Sequence, residues 1–109
     1  MSLPPLNALR AFETVVRLGS FRAAADALFV TQSAVSHQIR HLEQWFGGDL
    51  FDRTGNRPVP LPHAQELARA LSLSFSEMAS ACARARGHRE TQALVIAAIP
   101  SVAICWLIP

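Results

Sequence analysis

The sequence predicts a mainly α fold: three short helices, a small β-hairpin, then one long helix. Three observations carry this expectation. Apolar residues recur at gaps of three and four through residues 9–16, 21–28 and 35–46. A break follows at residues 49–61, where Gly55, Pro58 and Pro60 exclude a helix and a central strand. From residue 62 to 87 the helical period returns as a heptad seam.

The first helix follows a short extended lead stiffened by Pro4 and Pro5. Asn7 is a candidate cap, Leu9, Phe12, Val15 and Val16 form one apolar face, and Gly19 ends the helix after Leu18. Glu13 and Arg17 stand at i,i+4, a pair worth a few tenths of a kcal/mol. Ser20 suits the next N-cap, because its hydroxyl can accept from an unpaired backbone N–H. Phe21, Ala24, Ala25 and Leu28 follow at helical spacing. The alanines at 23–25 permit close approach of another helix. No glycine stands in the turn after Leu28; Phe29 and Val30 occupy it and are expected to plug into the core.

Thr31 caps the third predicted helix, which ends at Gly47. At about 100° per residue Val35, Ile39, Leu42 and Phe46 form one stripe. Ser33, Ser36, His37, Arg40 and Gln44 gather opposite, a face of hydroxyl, imidazole, guanidinium and amide groups without a carboxylate; Glu43 lies towards its edge. A short helix, a tight turn and a second helix with such a polar face form a helix-turn-helix pattern, whose second helix enters the DNA major groove. The first helix is expected to pack across that pair. In the hairpin, Gly55 and Asn56 tolerate positive φ, and Arg53 and Arg57 flank the turn. An arginine-bearing wing beside a groove-binding helix can reach a phosphate or the minor groove. The fold expected is thus a winged helix-turn-helix followed by a linker helix.

That linker, residues 62–87, starts with a proline allowed in the first turn and stops at Gly87. Ala64, Ala68, Leu71, Phe75, Met78, Cys82 and Ala85 make its seam, with Leu67 and Leu73 beside it. A helix about 39 Å long, at 1.5 Å per residue, exceeds what the small domain can cover. Pairing through Ala64, Ala68, Leu71, Phe75, Met78 and Cys82 with a second copy is the expected use. A basic hinge follows at Arg84, Arg86, His88 and Arg89. Residues 93–99 read as a buried strand, and residues 102–108 as the opening of a helix after Pro100 and Ser101. Three parts result: residues 1–61, a DNA-binding domain; 62–87, the linker; and 88–109, the start of a further domain.

Composition limits the alternatives. The chain has 109 residues, 50% of them apolar, and a net charge of only +2, so a general polyelectrolyte binder is not indicated. All ten basic residues are arginine, the better bidentate donor to guanine and phosphate. Cys82 and Cys105 lack metal or redox spacing and read as reduced, buried thiols of a cytosolic protein. Residues 1–7 lack the features of a secretory signal, and the apolar tail is too short, and too broken by Pro100 and Ser101, for a membrane span. No nucleophile–base pair, metal-ligand spacing or phosphate loop is present, so no enzyme, cofactor or metal is expected.

The run LNALRAFETVVRLGSFRAAADALFVTQSAVSHQIRHLEQWFGGDLFDR resembles the N-terminal domain of LysR-type transcriptional regulators, and TQSAVSHQIRHLE most resembles the subgroup containing activators of β-lactamase and glycine-cleavage genes. The resemblance is dense to Arg53 and looser to Pro109. It implies a bacterial DNA-binding regulator of transcription, with double-stranded DNA as partner. Gln32, Ser33, Ser36 and His37 match positions contacting bases and nearby phosphates. Arg57 matches a minor-groove arginine, Arg53 a wing residue near the backbone, and Ser20 and Arg22 the start of the scaffold helix. With Thr31 at the cap and Arg40 of the polar face, these make up the expected DNA-contacting set. The linker matches the helix through which subunits pair; a homodimer on a pseudo-palindrome follows, with higher oligomers open to a longer parent. Ser101 matches an effector-contacting position, but most of that domain is absent, so no small-molecule inducer is expected for this fragment. A second reading keeps only the seam: a truncated helical module that pairs with full-length relatives.

Overall fold

Leu9, Phe12 and Val15 do what their spacing predicts: all three are buried on one side of α1 (Leu6–Leu18). In this computed structural model the described residues are 2–93, with side chains described to residue 88. They fall into two units, one ending at Ser72 and one beginning at Leu73.

In the first unit α1 packs on α2 (Phe21–Leu28) and α3 (Gln32–Phe46), and α2 packs on α3. Phe12, Val35, Ile39, Leu42 and Leu50 are the largest fully buried side chains. Ala24 and Ala25 are buried where α2 meets its neighbours, as small residues at a close helix approach should be. The helix begins one residue before Asn7. Pro5 is the N-cap position of α1, with Ala8 and Leu9 N–H both donating to its carbonyl at 3.1 Å, so Asn7 lies inside the first turn rather than at the cap. Gly19 and Gly47 close α1 and α3 in the left-handed conformation, each at φ 77°. That geometry suits a residue without Cβ.

The wing is an antiparallel pair, β1 (Phe51–Asp52) and β2 (Val59–Pro60), in register Phe51↔Pro60 and Asp52↔Val59. Phe51 anchors it: its ring stands edge-on to Phe12 at 5.6 Å and to Phe21 at 5.9 Å. Each such pair contributes about 0.5–1.5 kcal/mol beyond area burial. The turn differs from the expectation at Gly55 and Asn56, since neither has positive φ. Asp52 builds it instead: its Oδ1 accepts from Thr54 N–H at 3.0 Å and Thr54 Oγ1–H at 2.7 Å. A side-chain acceptor takes the place of a left-handed backbone residue.

Three apolar expectations fail. Phe29 is 84% exposed and Val30 47%, so neither plugs the core. Phe29 takes the left-handed C-cap position of α2, at φ 59°. There its N–H reaches Ala25 and Asp26 carbonyls, and the aromatic ring is turned outwards. Phe46, on the last turn of α3, is 43% exposed and stands edge-on to Trp45 at 5.0 Å, so the buried stripe ends at Leu42.

α4 (Pro62–Ala93) starts at the predicted proline; Ala64 and Gln65 N–H both donate to the Leu61 carbonyl at 2.9 Å. It does not stop at Gly87. The helix continues through His88 and Arg89 to Ala93, so the hinge expected there is helical and Ala93 does not begin a strand. A lone interior glycine costs a helix about 1 kcal/mol, which is not enough to end it without a competing cap. The other residues of the expected strand, Ser101, the helix expected after it and Cys105 lie outside the described residues.

Candidate nucleic-acid interface

One side-chain cap sets the start of each motif helix. Ser20 Oγ accepts from Ala23 N–H at 3.0 Å, and Thr31 Oγ1 from Ala34 N–H at 3.0 Å. Neither α2 nor α3 has an acidic residue in its first turn, so the positive ends of both helix dipoles are uncompensated. Those ends suit phosphate oxygens.

The buried positions of α3, Val35, Ile39 and Leu42, orient the rest of the helix. Thr31, Gln32, Ser33, His37 and Arg40 are exposed, as are His41 and Gln44. Ser36 is half-buried, at the edge between the polar and apolar faces. The imidazoles of His37 and His41 are tilted neighbours with centroids 6.5 Å apart. Such a face offers hydroxyl and amide groups that donate and accept, imidazoles and one permanent cation. That is the mixture able to read donor and acceptor patterns along base edges. On α2, Ser20 is half-buried by its capping role and Arg22 is exposed.

Six of the arginines divide into two kinds. Arg22, Arg40 and Arg57 are exposed and have no ion-pair partner among the described residues. Arg17, Arg53 and Arg84 are paired, with Glu13 at 3.0 Å, Glu43 at 3.2 Å and Glu77 at 3.4 Å. The Glu13 pair is more than a surface contact, because the Glu13 side chain is only 8% exposed. Arg53, a wing residue expected near the DNA backbone, has its guanidinium forked onto both Glu43 oxygens. Sequence reasoning puts Glu43 at the edge of the polar face and misses its pairing with Arg53. Glu43 is the one carboxylate on α3 and stands ten positions before Arg53, across a reversal of the chain that no helical period describes.

The seam of α4 also divides. Ala64, Ala68 and Phe75 are 0%, 6% and 4% exposed within the single chain, so they have almost no surface left for a second copy. Leu71 and Cys82 are half-buried, Met78 is 44% exposed and Ala85 is exposed. Leu73, placed beside the seam, is 70% exposed. The seam surface left open in the single chain is therefore mainly at Met78 and Ala85, with part of Leu71 and Cys82.

A family model described as bacterial regulatory helix-turn-helix protein, lysR family, matches residues 6–65. The glycine cleavage system transcriptional activator of Escherichia coli strain K12 is 41% identical over 107 residues, 98% of this chain and 35% of that protein. The HTH-type transcriptional activator AmpR of Rhodobacter capsulatus is 42% identical over 105 residues, 96% of this chain and 36% of that protein. The chain thus spans about a third of the length of these relatives. Among solved structures, the BenM DNA-binding domain in complex with catB site 1 DNA superposes with a TM-score of 0.70 at 28% identity, covering 80% of this chain and 94% of that one. Oxidized OxyR of Corynebacterium glutamicum gives a TM-score of 0.69 at 25% identity, over 77% of this chain and 27% of that one.

Proposed function

The chain belongs to the lysR family of bacterial regulatory helix-turn-helix proteins, and from that premise we propose that it binds double-stranded DNA by sequence and regulates transcription. The observation that carries this is the exposed, carboxylate-free face of α3, held outwards by the buried stripe Val35, Ile39 and Leu42. Gln32, Ser33, His37 and Arg40 read base edges in the major groove, with Ser36 at the margin. Arg22, Arg57 and the capped starts of α2 and α3 hold phosphates and fix the register. The relatives' names describe transcriptional activators, a non-catalytic role that fits this chain.

Two copies pair through the exposed part of α4, around Met78 and Cys82, and address half-sites about one helical turn apart. Residues 62–93 then act as linker, following a DNA-binding domain of residues 1–61. The place of action is the cytoplasm, where bacterial DNA lies; no described helix is long and apolar enough to cross a membrane.

The test is selection from a random duplex pool, then fluorescence anisotropy across a salt series with the selected duplex and a scrambled one. With four to eight phosphate contacts per dimer the log–log slope should lie at about −4 to −7. Equal affinity for both duplexes overturns sequence-specific binding.

A further inference from the structure

Glu43 joins two parts of the interface. Its carboxylate is mostly withdrawn from water, with the side chain 11% exposed. Oε2 accepts from Leu50 N–H at 2.8 Å and from Arg53 Nη1 at 3.2 Å; Oε1 accepts from Arg53 Nη2 at 3.2 Å. Leu50 lies just before β1 and Arg53 just after it, so one side chain of α3 grips the first wing strand at both ends. Arg53 is held from a third direction, with its guanidinium carbon 5.7 Å from the centroid of the Phe51 ring. Phe51 is itself fixed against Phe12 and Phe21.

Resting on the DNA-binding reading, we propose that Glu43 is a positioning residue of the interface: it sets the wing against the recognition helix and keeps Arg53 off the phosphates, so that Arg57 is the cation the wing brings to DNA. The energetic asymmetry is plain. For Arg53 to turn its fork from Glu43 to a phosphate, two charge-assisted hydrogen bonds must break, and a carboxylate with little water around it is left beside a polyanion; while the fork holds, the Glu43 charge offsets the cation. Arg57 incurs neither cost, since it is exposed and has no ion-pair partner among the described residues. The pair also gives the wing a defined placement, which a tip reaching for one groove requires.

The salt slope reads this directly, because each phosphate contact contributes about 0.9 to it. The full chain and its variants are titrated with the selected and scrambled duplexes. Arg57→Ala should flatten the slope by about 0.9 per subunit. Arg53→Ala should leave it unchanged. Glu43→Gln separates the two jobs of the carboxylate. Its amide oxygen still accepts from Leu50 N–H, but its amide hydrogens repel Arg53, which is released. The slope should steepen by about 0.9 per subunit, and affinity for the scrambled duplex should rise relative to the selected one. A merely structural glutamate would weaken binding without moving the slope. The inference is overturned if Arg53→Ala flattens the slope as Arg57→Ala does, or if Glu43→Gln leaves it unmoved. A wild-type chain that binds neither duplex removes the DNA-binding reading itself, and this inference with it.

Discussion

Ala64 and Ala85 are the same residue at the same heptad position of one helix, yet Ala64 is fully buried and Ala85 is exposed. Ala68 at 6% and Met78 at 44% repeat the contrast. A repeating seam states which side of a helix is apolar. It does not state what covers that side. Ala64, Ala68 and Phe75 are covered in the single chain, Leu71 and Cys82 are half-covered, and Met78 and Ala85 meet solvent. The exposed apolar positions are the ones available to a second copy, a narrower surface than the full heptad pattern suggests.

Substituting both alanines identically gives the sharpest test. Ala64→Glu buries a carboxylate with no partner and should destabilise the fold by about 3–5 kcal/mol, read from urea midpoints. Ala85→Glu should stay within about 0.5 kcal/mol of wild type. Equal losses at the two sites would erase the distinction between covered and uncovered seam. Met78→Glu comes next. Its own stability cost should be under about 0.5 kcal/mol. Sedimentation should nevertheless show loss of the paired species, and a mass unchanged from wild type would place the pairing surface elsewhere.

Two smaller effects concern exposed features held by local geometry rather than cover. Phe29 keeps a bulky side chain in the left-handed region while gaining little burial. Asparagine tolerates that conformation, so Phe29→Asn should raise stability by about 0.5–1 kcal/mol. A fall in the unfolding midpoint would reveal packing that Phe29's exposure hides. The smallest effect is at the wing turn. Hydrogen bonds from the Thr54 hydroxyl and then its N–H hold the exposed Asp52 carboxyl below its ordinary value of 3.8. A depressed carboxyl contributes stability that is present above the unfolded value and lost as pH falls through the folded one. Protection of the Thr54 amide from hydrogen exchange should therefore fade only below about pH 3.8. Asp52→Ala should lack that protection at every pH.

The features legible in the sequence are short-range. The caps at Ser20 and Thr31 act over three residues, and the buried stripe Val35, Ile39 and Leu42 follows from helical period alone. Misreadings cluster where a local rule met a competing geometry. Asn7 lost the cap because the Pro5 carbonyl already closes the first turn. Gly87 did not end α4, because glycine stops a helix only where a cap takes over, and none forms there. Phe29, Val30 and Phe46 are apolar, yet each sits at the last residue of a helix or just past it, where helical period no longer says which side is covered.

The amino-acid order by itself determined the helices, the polar face of α3 and the presence of a wing, because period, caps and prolines act within a few bonds. Tertiary structure alone decided that Arg53 is committed to Glu43, and which part of one uniform seam is covered. Both depend on partners brought close by the reversal after α3 and by packing around α4's start, and distance in space between such groups is not written in their spacing along the chain.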